Sequence, residues 1–312
     1  MLFCRPLPPG SPHSSTRCAA SDEAAYEAKV EALAGVINEI GPDLLGAQEV
    51  GGQEALGDLV AKLPGTWHAT VSEHPDARGI RVGVISRWPL LDIQQRINFP
   101  GHVGPVQVED DGTTIAEMGR GGLAVRVEPA PGKSLHVAVC HLKSKLLASG
   151  NQHSTHDEGL RARYAAYALF RRGAEAVTMR DLADELLQGD GINRDVIVLG
   201  DFNDDWQAAT TQILYGPPGS QIDTGGFDHP DQGDAKRLWN LAPRILKEGG
   251  YSCTFEGQPE LIDHILISHS LLAKLQEVHT ATNKLPTVTG TQPAAPHDQP
   301  SDHSPVVATF NF

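Results

Sequence analysis

Asp195-Val-Ile-Val-Leu-Gly-Asp201-Phe-Asn203-Asp204 is a block of apolar residues that stops abruptly at an acid. A short unbroken run of Val, Ile and Leu suits a strand buried on both faces. An acid at its end suits a strand that delivers a side chain to a crevice. The same form recurs along the chain. Residues 43–49 close on Glu49 and residues 134–141 close on His141, while Leu261-Ile-Asp263-His264-Ile-Leu-Ile267 holds an acid among apolar neighbours. A last strand over 305–310 follows Ser301-Asp302-His303-Ser304-Pro305. Further strand-like runs lie at 67–71, 80–86, 90–97 and 123–128, many of them joined by Gly, Pro or Asp turns.

Helices fall between these strands. Ser21-Asp22 can cap a helix to Ile40 in which Tyr26, Val30, Leu33, Ile37 and Ile40 recur at spacings of three and four, and Gly41-Pro42 ends it. A second helix is expected over 54–63 and a long one over 158–187. Arg161, Arg163, Arg171, Arg172 and Arg180 on the long helix read as a solvated face. Adjacent strands often lack an intervening helix. That favours an α/β fold of two mixed sheets packed together with outer helices over a single parallel sheet. Residues 1–20, with Pro6, Pro8, Pro9 and Pro12, read as a flexible arm, and 21–312 as one domain. Residues 216–236 and 290–299 read as surface loops.

Composition bounds the function. The 312 residues are 40% hydrophobic, enough for a sizeable core, and 32 Gly with 22 Pro suit a turn-rich chain. With 25 Lys+Arg against 39 Asp+Glu the formal charge is −14, which disfavours polyanion binding by a general basic field. No apolar run approaches the roughly 18 residues of a membrane helix. The N-terminal stretch has no signal-peptide h-region, and Cys4, Cys18, Cys140 and Cys253 form no regular framework. These features predict a reduced, cytoplasmic protein.

Asp263 is the most telling residue. A carboxylate among apolar neighbours is costly unless paired, and an imidazole is a suitable partner that would become a general base held in one tautomer. His264 points to the opposite face and cannot easily be that partner. Asp302 and His303 diverge, so one can serve a cation and the other a nucleophilic water. Asp201 and Asn203, two apart, share a side in an extended segment and can hold a phosphate oxygen, a water or a cation together; a plain turn is the alternative. His141 and Lys143 share a face and can donate to a phosphate. His153 and His156, and His297-Asp298, read as solvated loop residues. There is no phosphate-binding loop of the G-x-x-x-x-G-K-[ST] type, no H-E-x-x-H and no G-x-S-x-G.

Taken in order, Gln48-Glu49, His141-Leu-Lys143-Ser, Gly200-Asp201-Phe-Asn203-Asp204, Ile262-Asp263-His264-Ile265 and Ser301-Asp302-His303-Ser-Pro305 resemble the endonuclease/exonuclease/phosphatase superfamily, the deoxyribonuclease I-like group, over about residues 23–312. The resemblance implies a four-layer α/β sandwich with the site at one edge, and divalent-metal-dependent hydrolysis of phosphoesters with Mg²⁺ or Mn²⁺. It implies that Glu49 and Asp302 serve the metal, that Asp263 orients His303 as the base, and that Asp201 and Asn203 position nucleophile and phosphate. His141 would contact the scissile phosphate, with Lys143 and Arg78 near it. A phosphodiesterase or nuclease is the first expectation. A phosphomonoesterase or lipid-headgroup hydrolase and a catalytically weak binding domain are the alternatives. The expected partner is a phosphoester substrate, nucleic acid included, with no membrane span and no protein partner evident. Relatives begin with a strand carrying an Asn. Residues 1–20 hold no Asn and no strand-like run, and the first Asn is Asn38, so that strand is expected to be missing.

Overall fold

The computed structural model describes residues 23–145, 156–216, 221–224, 227, 233–245, 249–255, 257–282 and 301–312. The proposed arm at 1–20, His153, most of the 216–236 loop, the 290–299 loop and His297-Asp298 lie outside the described residues.

The elements run α1 (Glu23–Ile40), β1 (Leu44–Val50), α2 (Gln53–Ala61), β2 (His68–Val71), β3 (Arg81–Ser86) and β4 (Leu91–Asn98). Next come β5 (Val106–Gln107), β6 (Thr114–Ile115), β7 (Glu117–Ala130), β8 (Lys133–His141), α3 (Glu158–Leu187) and β9 (Asp195–Asp201). The chain closes with α4 (Ala209–Tyr215), β10 (Leu238–Asn240), β11 (Cys253–Phe255), β12 (Gln258–Glu260), β13 (Asp263–Ser268), α5 (His269–Leu272), β14 (Leu275–Thr280) and β15 (Val306–Phe310). The expected helices and strands are all present, with ends shifted by a few residues. The strand expected over 123–128 is longer, because β7 begins at Glu117. The β11–β12 hairpin, β10 and β14 carry too few apolar residues in alternation to stand out in the sequence.

Four layers result. A six-stranded sheet, ordered β10-β13-β9-β8-β7-β4, forms one inner layer; β8 and β9 pair in parallel and the other neighbours are antiparallel. The second inner layer has two pieces, β1-β3-β2 and β14-β15. β1 lies over β8 and β9, and β15 over β13. Among the described residues no strand pairs with the outer edge of β1 or of β15.

Three apolar cores bind the layers. Met179, Leu182 and Leu187 of α3 pack on Val196, Val198 and Ala138. Val82 and Val84 meet Val125, Val137 and Val139 between the sheets. Leu33 and Ile37 of α1 and Leu56 and Leu59 of α2 cover Ala47 and Ile85. Each fully buried Leu or Val is worth roughly 1.5–3 kcal/mol of transfer free energy. The helices are stopped by local chemistry. Gly41 at φ 64° closes α1 through its N–H to the Ile37 carbonyl at 2.8 Å. Asp157 caps α3 by accepting from the Leu160 N–H at 2.9 Å.

One glycine positions the site. Gly200 adopts φ 145°, and a Cβ there would lie 1.9 Å from the Cys140 carbonyl oxygen. Its bare backbone lets β9 press against β8 with Cys140 opposite Gly200 and His141 opposite Asp201. Gly200→Ala is therefore expected to lower the unfolding free energy by at least about 2 kcal/mol, read by urea denaturation. A variant as stable as the parent chain would refute this account of the strand pair.

Candidate active site

The ends of β8, β9 and β13 and the turn before β15 meet at one edge of the sandwich. Antiparallel pairing sets Asp263 of β13 opposite Asp201 of β9, and parallel pairing sets His141 of β8 on the other side of Asp201. His141 Nε2 lies 3.2 Å from Asp201 Oδ2, and both side chains are almost fully buried. His303 Nδ1 lies 2.6 Å from Asp263 Oδ2. The carboxylate can only accept, so Nδ1 carries the proton and Nε2 faces away from the pair. One ligand atom from each of Asp201, Asp263 and His303 lies within 4.8 Å of the others.

Backbone strain marks the same place. Glu49 at φ 59° and Asn203 at φ 54° are non-glycine residues in the left-handed region. Glu49 sits where the β1–β3 register slips between Ala47 and Val50, so a bulge turns its carboxylate out of the regular alternation. Asn203 is not in extended backbone, as its two-residue spacing from Asp201 suggests. Its N–H donates to Asp201 Oδ1 at 2.8 Å and its Nδ2 to the Leu142 carbonyl at 2.9 Å. The turn, rather than strand alternation, brings the amide beside the acid.

Charge is distributed unevenly. Burial pushes the Asp201 carboxyl up, but the charges of His141 and His303 and the hydrogen bonds from His141 and the Asn203 N–H outweigh it and hold the pKa well below the usual carboxylate range. Burial pushes the His303 imidazole down, while the charge and hydrogen bond of Asp263, the Cys253 side chain and Asp201 raise it well above its ordinary value. Burial lowers the Lys143 ammonium to about 8, helped by Arg171, Arg172 and Arg120. His264 points away from Asp263, as expected. Its Nε2 donates to the Asp204 carbonyl at 2.9 Å, and burial pushes its pKa down, so it is neutral.

The remaining expected residues surround this group. Glu49 is within electrostatic reach of His141, Asp302 and Arg120. Asp302 is exposed and next to His303. Arg78 is paired with Asp76, which holds its guanidinium at 3.0 Å and that of Arg120 at 3.2 Å. Of those two arginines, Arg120 is the one that acts on both Glu49 and Lys143. The donors suit a hard divalent cation. Two of the three clustered side chains are carboxylates, one of them buried, and carboxylate oxygens are the donors such an ion prefers. Glu49 and Asp302 stand beside that cluster rather than in it.

Several supporting residues escape sequence reading. Glu175 of α3 is buried and accepts from the Gly119 N–H at 2.9 Å, the Lys143 N–H at 2.6 Å and Arg171 Nε at 3.0 Å. Arg172 is buried too, with Nε 3.1 Å from Asp204 Oδ2 and Nη1 3.1 Å from the Lys143 carbonyl. Arg180 reaches the Leu214 carbonyl at 2.9 Å. The solvated face expected of the α3 arginines holds for Arg161 and Arg163 and fails for Arg171, which pairs with Glu175 on the same helix, for Arg172, which ties the helix to Asp204 and the Lys143 segment, and for Arg180, which reaches α4 and the Lys236 carbonyl. Ser252 joins the dyad's two segments. Its Oγ accepts from the Asp263 N–H at 3.1 Å, and its carbonyl accepts from the Ser304 N–H at 2.6 Å. A serine in a loop gives no sequence signal of this kind.

A sandwich of this topology, with acids and imidazoles gathered where its strands end, defines a class of phosphoester-hydrolase scaffolds. The model of the endonuclease/exonuclease/phosphatase family matches residues 15–303, and the chain belongs to that family. Solved structures agree on the fold. A mannosyl-6-phosphatase of Bacteroides thetaiotaomicron, Bt3783, superposes with a TM-score of 0.56 at 15% identity over 94% of this chain and 95% of its own. Truncated TDP2 of Caenorhabditis elegans gives 0.55 at 15% over 93% and 92%. The human Nocturnin catalytic domain with bound sulfate gives 0.53 at 16% over 92% and 87%. A comparison with curated proteins gave no match. No described helix is long and apolar enough to cross a membrane, and Cys140 and Cys253 are free thiols.

Removing the Glu175 carboxylate strands two backbone N–H groups and a guanidinium. Glu175→Ala is expected to cost about 3 kcal/mol in denaturant unfolding. A loss under about 0.5 kcal/mol would show that the carboxylate does not hold the Lys143 segment.

Proposed function

We propose that this chain is a divalent-metal-dependent hydrolase of phosphoester bonds, acting on phosphodiesters with Mg²⁺ or Mn²⁺. The observation that carries the reading is the 2.6 Å pair of His303 Nδ1 and Asp263 Oδ2, set beside the buried Asp201. Asp263 holds the His303 tautomer with its proton on Nδ1, so that in the neutral ring Nε2 is the atom that takes a proton from an attacking water. Asp201 accepts from that water and orients it, and the turn at Asn203 keeps the acid in place. His141 is held by Asp201 through Nε2, and its buried Nδ1 has no hydrogen-bond partner. That nitrogen is the one left to meet a phosphoryl oxygen. Lys143 and Arg120 supply positive charge as the phosphorus becomes more negative. Glu49 and the Asp201–Asp263 carboxylates would hold the cation, with Asp302 orienting its surroundings. When bound, such an ion neutralises phosphate charge and lowers the pKa of water.

Two experiments test the reading. Hydrolysis of bis(4-nitrophenyl) phosphate should need Mg²⁺ or Mn²⁺, stop with chelator, and fall by at least about a hundredfold in His303→Ala and in Asp201→Ala. Turnover that survives chelator and both substitutions would overturn it. Lys143 provides a pH signature. Its folded pKa of about 8 lies below the ordinary 10.5, so between those values the unfolded chain binds more protons. Folding stability from this group therefore rises with pH, while its positive charge is lost above about 8. Affinity for inorganic phosphate should fall through that pH, and Lys143→Arg should move the fall upward. An unchanged profile in Lys143→Arg would exclude this lysine from the phosphate site.

A further inference from the structure

Beside the dyad, a cavity of about 370 Å³ opens between the turn after β9, the 242–245 segment and the β11–β12 hairpin. It adjoins the reacting groups along the chain. Ile262 in its wall precedes Asp263, and Asp205 and Trp206 follow the Asp201–Asn203 turn. The volume suits one ring with its substituents. The walls are mixed, with Trp206, Ile245 and Leu261 as their apolar part. The rim is acidic. Lys145 Nζ stands 3.4 Å from Glu260 Oε2 and 3.6 Å from Asp204 Oδ1, and Asp204 is also bound by Arg172. Asp205 adds a third carboxylate. Of these groups, two acids, Asp205 and Glu260, line the cavity against one cation, Lys145, that is already engaged.

That balance excludes one kind of ligand and favours another. A second phosphate would enter a field that is negative on balance, with Lys145 already paired. A neutral ring can lie on the indole face, and its hydroxyls can donate to Asp205 and Glu260, which only accept. We propose that this cavity holds the organic group esterified to the scissile phosphate, and that this group is a neutral, hydroxyl-bearing ring without a second phosphate. The proposal rests on the hydrolytic reading of Asp263–His303 and narrows it from phosphodiesters in general to small esters. Both a nucleoside and a free sugar have the required chemistry.

Binding to the full-length His303→Ala chain with Mg²⁺, read by calorimetry, tests the cavity without turnover. The probes are thymidine 5′-(methyl phosphate), glucose 6-(methyl phosphate), the thymidine ester carrying a 3′-phosphate, and dimethyl phosphate. At least one ring ester should bind at least about tenfold tighter than dimethyl phosphate. Trp206→Ala should remove most of that preference. The added 3′-phosphate should weaken binding, and Asp205→Asn with Glu260→Gln, at the solvent-facing rim, should relieve that loss. The tighter of the two ring esters identifies a nucleoside or a sugar as the source. Equal binding of ring and ringless esters, or tighter binding with the 3′-phosphate, would overturn the proposal. Hydrolysis by the unmutated chain, followed by phosphorus resonance, separates the two readings. Ring preference without turnover defeats the hydrolase and spares the cavity. Turnover with no ring preference does the reverse.

Discussion

The parallel contact between β8 and β9 is the constraint on which the site depends. It brings Cys140 against Gly200 and His141 against Asp201, and it exists because position 200 has no side chain. From that pair the rest follows by register. Asp263 enters from the other side of β9, and His303 arrives on the turn that closes on Ser252. His141, Asp201 and Asp263 thus stand on three adjacent strand ends of one sheet, where backbone ladders fix their separations. The left-handed backbone at Glu49 and Asn203 places strain at this edge, and the carboxylate and the amide it presents are the ones that regular strand geometry would have pointed elsewhere.

A second requirement is that so much buried charge be answered. Asp201 is answered by His141 and His303, Asp263 by His303, Glu175 by Arg171 and two backbone N–H groups, and Asp204 by Arg172 and Thr210. The helix α3 is the beam that makes this possible. One face seals the core with Met179 and Leu182, and the other reaches over the sheet edge with Glu175 and Arg172. Losing one partner of such a pair is costly because the other remains buried.

The reading of the sequence succeeded where one residue type has one physical explanation. An acid inside Leu-Ile-Asp-His-Ile needs an imidazole, and Asp263 has His303. Apolar runs ending in acids announced β1 and β9, and spacings of three and four announced α1. It failed where a residue's meaning lies in distant contacts. Arg172 looks like any helix arginine until Asp204 is seen beneath it, and Ser252 and Glu175 have no local pattern. Asn203 was placed near Asp201 by a spacing argument, whereas a left-handed turn does the work. Trp206, which lines the neighbouring cavity, belongs to a loop, and Glu260 ends a three-residue strand too short to show a period.

The inner layer formed by β1-β3-β2 and β14-β15 carries one further implication. Glu49 rides on the first piece, and Asp302 and His303 lead into the second. Among the described residues no backbone ladder joins them, so their spacing is governed by side-chain packing on the six-stranded sheet and by the charges between them. Such packing yields over fractions of an ångström at less expense than a hydrogen-bonded ladder does. The jaw holding Glu49 and the jaw holding His303 can therefore adjust their grip to esters of slightly different bulk, with Asp201 as the stationary anvil between them.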